Sequence, residues 1–514
     1  MGNEETKVIT NNQRIAKNTL MLYIRMILIM GVTLYTSRVI LDVLGVENYG
    51  IFSVVGGIIT MFAFINGGMI SATQRYITFE IGMGDTTRLK TVFSTSFQIH
   101  VIIALLIAIL GETAGLWFLH HKLVIPPERM DAALWVYHCS ILASVVNVLS
   151  IPYNASIIAY EKMSAFAYIS VVEVLLKLGI LFLLILSPWD RLAVYAVLLL
   201  IVQFSVCLVY IRYCHKHFEA THYSHRFDRI LLKEMASFAG WSFWGNLAGV
   251  LYTQGLNMML NIFFGPVVNA ARGIAVQVQA AVQQFVSNFQ MALNPQITKN
   301  YAVGNLTDMH NLMCRSARFS FLLLYLLALP IWIETPFILR LWLHQVPEHT
   351  VVFTRIMLAI SLIYTTASPC VVANQATGKV KVYQAVVGGI LLLILPLSYL
   401  VLRLGAPAYS VFIVHLGIEC MAQFSRMWML RKLIDFPVYA YFQRIYGPVA
   451  LVVLVSVVIP VFLHSQFEEG WLRFLIIGVT SLVMVSVCAF FLGLTKGERR
   501  FITDKVVYYL SLRK

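Results

Sequence analysis

Residues 267–296 read VVNAARGIAVQVQAAVQQFVSNFQMALNPQ. The stretch follows the break Gly265-Pro266 and ends at Pro295, so it reads as one helix. Between Asn269 and Gln290 it carries seven amides and Arg272. On a helical wheel Asn269, Arg272, Gln279, Gln283, Gln290 and Asn294 share an arc of about 80°. Gln277, Gln284 and Asn288 form a second group beside it. The rest of the helix is mainly Ala, Val, Phe and Met. Polar groups facing lipid are costly, so the main arc is expected to face protein or a water-filled cavity. Interhelical hydrogen bonding would use amides well. Six polar positions in about seven turns exceed what a packing seam usually needs, which favours the cavity.

Lipid is the solvent to expect for the rest of the chain. Of 514 residues, 59% are hydrophobic and 12% charged, where soluble domains are roughly a quarter charged. Fourteen runs are long and apolar enough to span a bilayer: 18–41, 47–70, 92–118, 132–153, 164–187, 191–213, 236–261, 267–290, 316–339, 350–374, 382–403, 407–430, 445–464 and 471–494. Arg14 and Lys17 precede the first run, but its length and the lack of a cleavage site mark it as a span rather than a leader. The net charge of +14 does not point to nucleic acid, because the basic residues sit in short loops. Counted over the two tails, the even-numbered loops and the adjoining helix ends, Lys and Arg number 27, against seven in the odd-numbered loops and their adjoining helix ends. The positive-inside rule then places both termini in the cytoplasm and requires an even number of spans.

An internal repeat divides the spans. Leu34–Thr36 (LYT) recurs as Leu251–Thr253, Ile77-Thr78 with Gly84-Asp85 recurs as Ile297-Thr298 with Gly304-Asn305, and Pro152 and Lys162 recur as Pro369 and Lys379. The parse is a cytoplasmic tail 1–17, an N-terminal lobe of six helices at 18–213, a cytoplasmic loop 214–235, a C-terminal lobe of six at 236–431, two further helices at 445–494 and a cytoplasmic tail 495–514. An even-numbered repeat relates the lobes about an axis along the membrane normal, with a substrate path between them.

The charged residues inside spans are the candidate site. Arg272, Arg25 and Arg38 have no obvious acid on the same turn. Arginine matches phosphate oxygens in a bidentate way, so the three suggest an anionic cargo. Asn269, Gln279, Gln283 and Gln290 would line the same cavity. Glu173 and Lys177 stand four apart, as a structural pair would. His415 and Glu419 share that spacing and are candidates to carry a coupling proton. His215, His217, His222 and His225 crowd one loop and read as solvated. The seven cysteines have no metal spacing and are expected as free thiols. No phosphate loop, zinc-protease helix or nucleophile elbow is present. The chain reads as a transporter without cofactor or metal, not as an enzyme.

Four runs carry a resemblance: LYTSRVILDVLGVENYGIFSVVGGI (34–58), TQRYITFEIGMGD (73–85), IPYNASIIAYEKMSAFAY (151–168) and NAARGIAVQVQAAVQQFVSNFQMALNPQITKNYAVGN (269–305). They resemble the bacterial polysaccharide transporters, or Wzx-type flippases, of the multidrug/oligosaccharidyl-lipid/polysaccharide exporter (MOP) superfamily. The resemblance implies an all-α membrane protein with two pseudo-symmetric six-helix lobes, two extra C-terminal helices and a V-shaped central cavity. It implies a flippase that moves an undecaprenyl-pyrophosphate-linked oligosaccharide to the outer leaflet of the bacterial inner membrane, for O-antigen or capsule. Cavity arginines on helices 1, 2 and 8 would hold the pyrophosphate; Arg25 and Arg272 sit in comparable helices, whereas the run 47–70 has no arginine. Membrane lipids, and a glycan polymerase or ligase, would be its partners. A cation-coupled multidrug exporter of the same fold is the alternative; such exporters carry an acid deep in helix 1 or 7, and 236–261 has no Asp or Glu. A non-transporting scaffold for glycan assembly is the third reading.

Overall fold

In hydrocarbon only a helix satisfies its own backbone, and the described residues of the apolar runs are helical almost throughout. The computed structural model describes residues 18–500, apart from 33–34, 37–38, 41–42, 45–47, 49–50, 53–54, 56–62, 123–124, 223–227 and 344–345, and also residues 503–504. In chain order the long helices are α1 (Asn18–Val32), α2 (Ala63–Met83), α3 (Thr86–His121), α4 (Met130–Ala159), α5 (Met163–Leu186), α6 (Arg191–His217) and α7 (Arg229–Phe264). They continue as α8 (Pro266–Ala302), α9 (Leu306–Ile333), α10 (Thr350–Thr377), α11 (Val380–Arg403), α12 (Ser410–Ile434), α13 (Val438–Gln466) and α14 (Trp471–Gly493). There is no strand among the described residues. Ten of the helices, α3 to α7, α9 to α11, α13 and α14, are long and apolar enough to cross a membrane. The protein is a multi-pass membrane protein; half of the expected span 47–70 lies outside the described residues.

Two helices run further than their apolar content suggests. Helix α2 extends to Met83, so Arg75 lies inside it rather than in a loop. Helix α8 passes through Pro295, expected as its end, and continues to Ala302. A proline inside a helix removes one backbone bond, and packed neighbours make this tolerable in membrane helices. Pro152, Pro330, Pro369 and Pro448 are likewise internal.

The chain divides into two compact units. Unit 1 comprises Met1–Leu247, Thr298–Gly304 and Gly378–Lys381; unit 2 comprises Ala248–Ile297, Asn305–Thr377 and Val382–Lys514. In unit 1, α4 is the central helix and packs on α2, α3 and α6. In unit 2, α10 holds the corresponding place between α9 and α12. The repeat is visible in backbone detail. Gly84 (φ 77°) and Gly304 (φ 73°) end α2 and α8 in the left-handed region, which glycine enters without strain. Asp85 and Asn305 follow as N-caps, accepting from the amides of Arg88 and Asp308. Helices α4 and α10 each contain a proline and are followed by a left-handed residue, Glu161 (φ 59°) and Gly378 (φ 75°).

Unit 1 secures its two short pieces by specific contacts. Lys299 Nζ lies 2.5 Å from Glu161 Oε1, whose side chain is buried. Gly82 sits where an added Cβ would lie 2.7 Å from Ala302 Cβ. The Lys381 ammonium stands 5.4 Å from the Trp241 ring, and Arg75 fills the space beside Gly378. In unit 2 two buried ion pairs fasten α14 to α9. Arg318, within α9, donates to Glu498 just beyond α14 at 2.6 Å. Glu334, at the end of α9, accepts from Arg473 of α14 at 3.0 Å.

Candidate functional site

Arg272 sits in the second turn of α8, which starts at Pro266 directly after the turn at Gly265. It is one of four buried arginines among the described residues: Arg272 is 8% exposed, Arg318 5%, Arg426 3% and Arg473 9%. The other three each hold a carboxylate. Arg318 has Glu498, Arg473 has Glu334, and Arg426 has Glu419 at 2.7 Å. Arg272 has only neutral partners. Its Nη1 donates to Asn257 Oδ1 at 3.2 Å and its Nη2 to the Thr253 carbonyl at 2.9 Å, both on α7. Its Nε is buried without an acceptor. The charge is hydrogen-bonded but not neutralised.

The amides of α8 divide differently from the wheel. Of the main arc, Gln279 and Gln290 turn toward α9 and α10, and Arg272 turns toward α7. Gln279 Nε2 donates to Ser361 Oγ at 2.7 Å. Gln290 is buried; its Nε2 donates to Ser320 Oγ at 3.1 Å and its Oε1 accepts from Ser368 Oγ at 3.0 Å. These two positions are interhelical seams, the use that had seemed the lesser. Gln283 is half-buried, with Oε1 unpartnered. Asn269 occupies the first turn of α8.

Of the second group, Gln277 and Gln284 lie on an open face, whereas Asn288 is buried. Gly273, Gln277, Ala280, Ala281 and Gln284 are exposed, at the spacing of one helical stripe. Lipid-facing stripes elsewhere are built from large apolar residues, as in α6 (Ile201, Phe204, Leu208) and α14 (Leu472, Leu475, Val479). The α8 stripe has only small and amide side chains, the composition of a surface that meets water. Gln277 lies five residues beyond Arg272, a rise of about 7.5 Å. The two are also about 140° apart around the helix, so the Arg272 guanidinium turns toward α7 while Gln277 faces another side.

A polar cluster continues from Arg272 inside unit 2. The His415 ring meets Tyr252 edge-on at 5.2 Å. Glu419 is held by Arg426, two turns further along α12, rather than by His415 one turn before it. In unit 1 the Arg25 guanidinium stands 4.4 Å from the Phe166 ring centroid and has a buried Nε without a partner. Glu173 accepts from Lys177 at 2.6 Å, one turn apart on α5. Arg38 lies outside the described residues. His215 and His222 stack at 4.8 Å, and no group of three or more His, Cys, Asp or Glu among the described residues is placed to hold a metal. All seven cysteines are free.

Sequence reading passed over Asn257, Thr253 and Arg426. Asn257 is one of several neutral polar residues in a span without acids, and only the fold sets it against Arg272. The signal for Arg426 was its distance of two turns from Glu419, which puts both on one face. Arg75 also escaped notice. Its guanidinium lies over Tyr76 at 4.4 Å and Phe79 at 4.9 Å.

Solved structures with this arrangement of helices exist. A multidrug resistance MATE family transporter of the MOP superfamily, in an outward-facing conformation, superposes with a TM-score of 0.70 at 15% identity, over 83% of this chain and 96% of that one. The chain has the fold of MATE transporters of the MOP superfamily. The MATE transporter ClbM in complex with Rb+ gives 0.68 at 17% identity, over 83% of this chain and 97% of that one. A MOP superfamily transporter from Pyrococcus furiosus, described by a reversed polarity of its binding pocket that suggests a different function, gives 0.66 at 14%, over 82% and 96%. No protein-family model matches the chain, and no curated protein does.

Proposed function

We propose that the protein is a flippase of the MOP fold that moves an anionic lipid-linked substrate, an undecaprenyl-pyrophosphate-linked oligosaccharide, to the outer leaflet by alternating access. One observation carries the reading: Arg272, alone among the buried arginines of the described residues, has no carboxylate, and its helix also carries an exposed stripe of amides and small residues. Burying a charge without a counter-ion is costly and is retained where it serves function. An uncompensated cation on this helix favours an anion, while Gln277 and Gln284 offer hydrogen bonds to sugar hydroxyls. Arg25 is the matching cation in unit 1. An exporter of cationic drugs would be opposed by the same charges.

The membrane potential can drive the step. An outward-moving anion gains about 2.3 kcal/mol per charge per 100 mV when the inside is negative. No coupling ion is then required. No catalytic step belongs to this reading. O-antigen or capsule assembly in the bacterial inner membrane is the setting proposed, with the glycan polymerase or ligase as neighbours.

The test is made in a strain lacking the protein, by assaying which leaflet holds its lipid-linked oligosaccharides. Build-up on the inner leaflet, reversed by the wild-type chain and not by Arg272→Gln, is the expected result. A normal leaflet distribution combined with new sensitivity to cationic dyes would instead make the protein a drug exporter. Normal distribution without drug sensitivity would leave the scaffold reading.

A further inference from the structure

Three of the four buried arginines follow one rule: the facing side chain is an acid. At Arg272 the facing side chain is Asn257, which has nearly the shape of aspartate and none of its charge. We infer that Asn257 is a specificity-determining residue, whose neutrality keeps the Arg272 charge available to a phosphate-bearing substrate. This rests on the anionic-substrate reading above.

The geometry says why an amide is the residue that suits. Asn257 Oδ1 accepts from Arg272 Nη1 at 3.2 Å while the Thr253 carbonyl, one turn earlier on α7, accepts from Nη2 at 2.9 Å. Together they hold the guanidinium by both of its terminal nitrogens without neutralising it. Aspartate at 257 would accept the same bond and form an ion pair like that of Arg426 with Glu419. The field around Arg272 would then be that of a dipole, which falls off faster than that of a charge. Leucine at 257 would give up one hydrogen bond and leave the charge intact. The Asn257 amide therefore separates two functions that a carboxylate would merge: it positions the arginine, and it leaves the arginine cationic.

The purified full-length chain in detergent is titrated with farnesyl pyrophosphate, a short prenyl pyrophosphate, and with uncharged farnesol. Asn257→Leu, which gives up one positioning hydrogen bond but keeps the cation, should lose clearly less affinity for the pyrophosphate than Asn257→Asp. Asn257→Asp and Arg272→Gln should each lose on the order of tenfold or more, the factor that about 1.4 kcal/mol represents. Farnesol binding should be alike in all four. The melting temperature of Asn257→Asp without ligand should equal or exceed that of the wild type, since the new carboxylate meets a waiting cation. If Arg272→Gln weakens binding and Asn257→Asp does not, the inference is overturned and the anionic-substrate reading stands. If Asn257→Leu loses as much as Asn257→Asp, geometry rather than charge is decisive and the inference again fails. A lower melting temperature for Asn257→Asp has the same consequence. Wild-type protein that binds the pyrophosphate no better than farnesol would reject both the reading and the inference.

Discussion

At the scale of the residue, this chain treats buried charge in two ways. Arg318, Arg426 and Arg473 are compensated, and their role is to join segments. Removing the acid from such a pair strands a cation in a low-dielectric interior, at a cost of roughly 3–5 kcal/mol. Glu498→Gln is accordingly expected to lower the melting temperature of the purified protein sharply. The double variant Glu498→Gln/Arg318→Met should recover most of the loss, because it removes the stranded charge as well. A single variant as stable as the wild type would mean that the pair contributes little. Arg272 is the natural counterpart of that single variant, and the fold tolerates it with an amide and a carbonyl in place of an acid. The sequence made Arg272 legible as a charge out of place. It did not make its partners legible, since Asn257 and Thr253 belong to the preceding helix and meet it only once the chain has turned at Gly265.

At the scale of the element, caps and breaks were easier to read than faces. Gly84-Asp85 and Gly304-Asn305 announce a helix end and a new N-cap from sequence alone, and the backbone agrees at both places. The amide stripe of α8 is legible as to its helix but not as to its open face: Gln279 and Gln290 are bonded to neighbouring helices, Gln277 and Gln284 are exposed, and Asn288 is buried. Periodicity tells which residues share a face and not what the face meets. That depends on neighbours such as Ser320 and Ser361, which come from other helices. A cap outside the membrane allows a pH test. Asp190 caps α6, accepting from the amides of Leu192 and Ala193, and pairs with Arg129 at 2.7 Å. Partial burial pushes its carboxyl up, but the Ala193 and Leu192 amides and the Arg129 guanidinium outweigh this and hold it below the ordinary aspartate value. A carboxyl depressed in the folded state stabilises fully above its unfolded pKa of about 3.9 and loses that contribution as the pH falls through the lower folded value. The melting temperature of Asp190→Asn should therefore lie below wild type at neutral pH and converge with it below about pH 4. A constant gap across that range would remove Asp190 from the acid response.

At the scale of the whole molecule, the two units resemble each other in plan and are unequal in what they own. The all-helical class and the recurrence of Gly84-Asp85 as Gly304-Asn305 were legible, because length, apolar content and punctuation are local properties. The ownership of short segments was not. The expected lobes met in the loop 214–235, whereas unit 1 runs to Leu247 and also takes Thr298–Gly304 and Gly378–Lys381. A chain divided near residue 222 tests this. The piece 1–222 expressed alone should be degraded, and co-expression with 223–514 should restore a stable complex that can be recovered through a tag on either piece. Full stability of 1–222 by itself would show that the later segments are not needed by unit 1. The same feature has a consequence in time. A polypeptide emerges from the ribosome at about 5–20 residues per second, and about 130 residues separate Leu247 from Lys381. For on the order of ten seconds, newly made unit 1 must persist with the Glu161 carboxylate awaiting Lys299 and the ring of Trp241 awaiting Lys381, and in that interval insertases and proteases meet it incomplete.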